Sequence, residues 1–129
     1  MGNNTSIRCS LLSYAKERYG TEPEYPWASL PNYCVLRHAD NQKWYGLIMD
    51  IPAEKLGLPS KERVDILDVK LDPILVGSLL SAPGFFPAYH MNRDSWITVL
   101  LDGSVKIEEI IPLLDLSYSA TAEKNGLHT

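Results

Sequence analysis

Eight consecutive residues, Tyr89-His90-Met91-Asn92-Arg93-Asp94-Ser95-Trp96, crowd a phenol, an imidazole, a carboxamide, a guanidinium and an indole into one stretch. As a recognition loop, it would turn Arg93 toward a phosphate, use Asn92 for amide-type hydrogen bonds and offer His90 as a donor. As a structural corner, it would spend His90 and Asn92 on local backbone groups while Trp96 fills the core. Both readings stand on the sequence. Two earlier turns are basic: Arg37, His38 and Lys43 around one, and Lys55, Lys61 and Arg63 around the next. They read either as two wings facing a phosphate backbone or as ordinary solvated turns, since Asp40, Glu54 and Glu62 are interleaved.

No nucleophile elbow, P-loop, dinucleotide fingerprint or zincin pair occurs in the chain. His38, His90 and His128 are far apart in sequence, and a metal site needs convergent ligands, so neither metal nor cofactor is expected and no catalytic residue is assigned. The two cysteines, Cys9 and Cys34, have apolar neighbours and read as small buried hydrophobes. The opening Met-Gly-Asn-Asn-Thr-Ser has neither the basic nor the apolar region of a secretory signal, so a reducing cytoplasm is the expected setting.

These groups sit on 129 residues, the length of one domain, with 12 basic and 16 acidic side chains and a formal charge of -4. Residues 71–129 hold seven acids against three bases, which accounts for the whole deficit. An acidic chain binds DNA only if folding gathers its few bases on one face. No apolar run approaches the roughly 18 residues of a membrane span.

The elements that must position these groups follow from periodicity and turn chemistry. Residues 5–19 read as an amphipathic helix, capped at Thr5 or Ser6 and ended by Gly20. Pro23, Pro26 and Pro31 make the next stretch a stiff connector, with Tyr25 and Trp27 available as anchors. Strands are expected over Tyr33–His38, Lys43–Ile51, Val64–Leu71 and Trp96–Leu101, with at most one helical turn between Ala53 and Leu56. Asp72-Pro73 starts a short helix, Gly84–Ser95 is irregular, and a last helix spans about 107–120 with Pro112 awkwardly inside it. A tail from about residue 122 is expected to fray. The order α-β-β-β-α-β-α fits an α+β two-layer sandwich, a mainly antiparallel sheet with helices on one face.

Strict alternation puts Val35, Trp44, Ile48, Val64 and Ile66 on one face, opposite Leu36, Tyr45, Leu47, Met49, Leu67 and Val69, with Asp68 and Lys70 facing out. One face is thus left apolar and away from the helices. It is either an interface, for a protein partner or a second copy, over Trp44, Ile48 and Ile66, or is covered by Trp27 and the connector.

Four pieces together resemble the MmcQ/YjbR-like family: Lys70-Leu71-Asp72-Pro73, Pro87-Ala88-Tyr89-His90-Met91-Asn92-Arg93, Trp96-x-x-Val99-x-Leu101-Asp102-Gly103, and Ser117-Tyr118. Lys43-Trp44-Tyr45 resembles that family's first hairpin. The resemblance implies a CyaY-like, frataxin-type sandwich and a non-catalytic DNA-binding module whose two wings lie near Asp40–Lys43 and Lys55–Arg63. Arg37, Lys43, Lys61, Arg63 and Arg93 would then meet phosphates, with His90 or Asn92 nearest a base. A protein-interaction face and a small-molecule site at the Tyr89–Trp96 corner are the alternatives. Departures from the family pattern are Gln42 and Ala88, each where glycine is usual, and Arg93 in place of lysine.

Overall fold

The computed structural model describes residues 6–122; Thr5, His128 and the tail beyond Ala122 lie outside the described residues. Helix α1 spans Ile7–Tyr19. Ser6 opens it by accepting from the Cys9 amide, and Gly20 closes it in the left-handed region at φ 70°. The chain continues through β1 (Cys34–Arg37), β2 (Trp44–Pro52), a single 3-10 turn (Ala53–Leu56), β3 (Arg63–Lys70), α2 (Pro73–Leu79), β4 (Phe85–Pro87), β5 (Trp96–Leu100) and α3 (Ile107–Thr121). The five strands form one antiparallel sheet in the order β1-β2-β3-β5-β4. This is the expected α+β sandwich, with one strand more than the sequence pattern implies.

That strand is β4, in the segment read as irregular. It pairs Phe85, Phe86 and Pro87 with Val99, Thr98 and Ile97. Pro87 escapes the rule against proline in strands because β4 is the sheet edge. At the opposite edge, Glu24 of the connector exchanges both backbone hydrogen bonds with Val35, at 3.0 and 2.8 Å, and so covers part of β1. Helix α3 starts early enough to place Pro112 as its sixth residue, where the helix forgoes one amide donor.

Strict alternation fails in β2, and the cause is a bulge. Leu36 pairs with Gly46 but Arg37 pairs with Trp44, so Tyr45 is an extra residue on β2. Beyond it every side chain changes face. Ile48 joins the helix side with Tyr45, while Leu47 and Met49 move to the opposite side with Val35 and Ile66. The bulge parts β2 from the end of β3, and Ser117 of α3 fills the gap. Its hydroxyl donates to the Tyr45 carbonyl at 2.6 Å and accepts from the Lys70 amide at 2.8 Å.

All three helices pack on one face. Leu11, Ala15, Val76, Ile110 and Leu114 meet Leu36, Tyr45, Ile48, Leu67 and Val99. The other face is not bare. Val35, Leu47, Met49, Ile51, Ile66 and Leu100 lie under a roof made by Trp27 and Tyr33 of the connector, Leu56 and Leu58 after β2, and Phe86, Tyr89 and Met91. Asp68, expected to face solvent, points to this side and is completely buried. The roof explains the difference: "out" from the helices is not out into water. Cys34 is buried as expected, but Cys9 is exposed because its position on α1 turns away from the sheet.

Candidate functional site

The roof is incomplete. Between the connector and the residue 88–95 corner it leaves an open cleft of about 430 Å³ lined by Trp27, Leu30, Tyr33, Trp44, Leu47, Met49, His90 and Met91. Leu47 and Met49, turned outward by the β2 bulge, form its floor. Trp27 stands edge-on to both Trp44, with centroids 5.9 Å apart, and Tyr33, at 6.2 Å. The far wall is His90 and Met91. His90 is exposed, lies 4.0 Å from the Tyr89 ring and holds a left-handed backbone at φ 67°, a conformation that histidine, like asparagine and aspartate, adopts more readily than most residues other than glycine.

The corner that carries His90 is fixed by local hydrogen bonds. Asn92 accepts from the Asp94 amide at 2.8 Å, and the Trp96 amide donates to the Asn92 carbonyl at 2.9 Å. The Arg93 Nε–H donates to the Ala88 carbonyl at 3.3 Å. Asn92 is thus engaged as the structural reading anticipated, and Arg93, which that reading left out, is engaged as well, whereas His90, which it also assigned to the backbone, is presented at the cleft. Beneath the corner, the Tyr89 amide donates to Thr98 Oγ1 at 2.9 Å, and the Thr98 hydroxyl donates to Asp68 Oδ1 at 2.5 Å. The second oxygen of Asp68 has no partner. Burial raises the Asp68 carboxyl to about 7, against which the Thr98 hydrogen bond pulls it down. Sequence reasoning missed Asp68 and Thr98. The one available signal was a carboxylate flanked by Leu67 and Val69 in a strand whose both faces are apolar.

The two basic wings lie apart, and of the remaining candidates Arg93 lines one small hollow with Lys55 of the second wing. The β1–β2 turn and the β2–β3 loop leave opposite ends of β2, a strand of nine residues spanning about 30 Å. Arg37 is ion-paired with Glu24 at 2.8 Å, and Arg63 with Asp50, whose carbonyl it also binds at 2.6 Å. His38 is no wing residue: it is buried, bonds Thr121 Oγ1 at 2.8 Å, and lies 4.2 Å from the Tyr118 ring. Lys43 and Lys61 are exposed, and no carboxylate among the described residues lies in salt-bridge range of either. Gln42, in the place of a usual glycine, adopts φ 63° and ties its amide back to the Ala39 carbonyl at 2.9 Å. The first wing therefore keeps a glycine-like bend without the glycine.

A second, polar hollow of about 470 Å³ lies at the α1 end of the sheet, lined by Tyr19, Glu24, Arg37, His38, Asp40 and Tyr118 among others. Tyr118 stacks flat on Tyr19 with centroids 3.7 Å apart. Tyr14 and Tyr19 both donate to Asp115, which ties α1 to α3. These contacts account for Tyr118 of the Ser117-Tyr118 pair as packing. Among the described residues no group of three or more His, Cys, Asp or Glu is placed to hold a metal ion. No described helix is long and apolar enough to cross a membrane.

Comparison with known proteins places the chain among relatives of the same shape. The family model described as YjbR matches residues 16–120. Uncharacterized protein YyaQ of Bacillus subtilis is 41% identical over 114 residues, covering 88% of this chain and 97% of that protein. A Pseudomonas syringae protein solved by crystallography superposes with a TM-score of 0.87 at 50% identity, covering 89% of this chain and 98% of its own. The Deinococcus radiodurans protein DR2400, with a DUF419 domain, gives a TM-score of 0.68 at 24% identity over 92% of this chain and 80% of that one, a likeness of fold.

Proposed function

The chain belongs to the YjbR family, and we propose that it is a non-catalytic binding module for a small molecule with a flat apolar body. The cleft between connector and corner is the observation that carries this reading. Its volume lies within the range of ordinary ligand sites, and its lining is apolar apart from the polar tips of Tyr33, His90 and the two indoles. The family resemblance meets the cleft at Trp44 on one side and at His90-Met91 on the other. A ring system hiding about 200 Å² of apolar surface gains about 5 kcal/mol, from which the cost of immobilising it is subtracted, so binding is expected to be weak.

The probe is anilinonaphthalene sulfonate, titrated into the millimolar range while tryptophan emission is followed. Saturable one-to-one quenching is the expected result, lost in Leu30→Trp, which fills the mouth from an exposed position. Absence of saturation, or equal affinity in Leu30→Trp, would refute the assignment.

Nucleic-acid contact by the wings is the second reading, favoured by the exposed Lys43 and Lys61. It is less supported because Arg37 and Arg63 already neutralise Glu24 and Asp50. Fluorescence anisotropy of labelled duplex and single-stranded DNA at low salt tests it. Binding that weakens steeply with salt, and is lost in Lys43→Ala with Lys61→Ala, would favour the wings over the cleft.

A further inference from the structure

The cleft has one wall that rests on a buried acid. Asp68 lies on the face of β3 turned toward the roof, opposite Leu47 on β2 and Thr98 on β5. It is fully buried, and one of its oxygens finds no donor. The other is joined through the Thr98 hydroxyl to the Tyr89 amide, the residue immediately before His90 and Met91. The corner is therefore pinned to the sheet by a chain of two hydrogen bonds that ends on a titratable group.

We propose that Asp68, Thr98 and the Tyr89 amide form a proton-operated latch, in which protonated Asp68 holds the His90-Met91 wall down and ionised Asp68 releases it. With the proton on the free oxygen, the carboxyl is neutral and tolerates a dry roof. When that proton leaves, a buried charge with a single donor remains, and burying such a charge is costly unless more donors reach it. The free oxygen must then be hydrated, and water reaches it only if the roof lifts.

The surroundings offer no internal remedy. Facing Asp68 from β2 are Leu47 and Met49, from β5 Trp96, Thr98 and Leu100, and from β4 Phe86. The titratable and charged groups on this side are Lys70, two residues along β3, Tyr33 in the connector, Tyr89, His90 and Arg93 in the corner, and Lys55 beside Phe86 and Tyr89. None of them makes a hydrogen bond or ion pair with Asp68. The closed form holds the proton more tightly than an opened one, whose carboxyl is solvated and ordinary. Rising pH therefore favours opening, in the range around neutrality where burial has placed this carboxyl. This proposal deepens the cleft reading only in its consequence for ligands; the latch itself requires no ligand.

Two-dimensional NMR of the intact chain between pH 5 and 9 tests the latch directly. The expected result is a Tyr89 amide signal that shifts with a single midpoint near neutrality, together with faster hydrogen exchange at Tyr89 above it. Asp68→Asn should abolish that shift, whereas His90→Asn, which removes the neighbouring imidazole, should leave it in place. A Tyr89 amide insensitive to pH, or one whose titration survives Asp68→Asn, would overturn the proposal. Naphthalene-sulfonate titrations at pH 6 and pH 8.5 form the second arm, with about three- to tenfold weaker binding expected at the higher pH. If the amide titrates and the probe binds at neither pH, the latch stands and the cleft assignment falls.

Discussion

Single side chains here do more for the backbone than for any partner. Ser117 is the clearest instance, because it bridges the Tyr45 carbonyl and the Lys70 amide across the gap opened by the bulge. Ser117→Ala leaves a buried acceptor and a buried donor unpaired, each worth about 1–3 kcal/mol. The expected loss is about 2–6 kcal/mol in urea unfolding, and a midpoint unchanged from the parent chain would show that the bridge is dispensable. The same principle governs the corner. Asn92 and Arg93, whose side chains looked equipped for recognition, serve the Asp94 amide and the Ala88 carbonyl. His90 alone among the polar candidates there is left facing the cleft.

Between elements, small irregularities decide what faces what. One extra residue at Tyr45 transfers Leu47 and Met49 to the outer face and so supplies the floor of the cleft. The α2–β4 junction depends equally on one position. Gly84 has φ 88°, and a Cβ placed there would stand 2.5 Å from Val105 Cγ2. Gly84→Ala combines a left-handed penalty of about 1–2 kcal/mol with an overpacking cost of about 1–3 kcal/mol. A stability loss of about 2–5 kcal/mol is expected, with the β4 amides losing hydrogen-exchange protection first. Gly103, also left-handed but with open space where a Cβ would stand, provides the control: Gly103→Ala carries only the conformational penalty.

For the molecule as a whole, pH acts through the buried carboxyl. Asp68 titrates near 7 in the folded chain against 3.8 when unfolded, so the folded state binds the extra proton between those values. The contribution of this group to stability is therefore fully present below about pH 4 and is lost as pH rises through 7. The expected decline between pH 5 and pH 8 is about 2–3 kcal/mol in urea unfolding, and Asp68→Asn should flatten it. A parent chain equally stable at both values would contradict the assignment. Pattern along the chain was enough to set the element order apart from β4, the cap at Asp72, a cap at Thr5 or Ser6, the turn at Gln42 and the two-layer class, because these depend on neighbours within a few residues. It also singled out the His90 segment and the apolarity of the second sheet face. Folding in three dimensions was needed to turn Ile48 toward the helices and to make Asp68 dry. It also brought connector and corner together over the sheet as a cleft. Alternation along a strand is a local rule, whereas a bulge, a roof and the pairing of Arg37 with Glu24 arise from segments that approach only when the chain is folded.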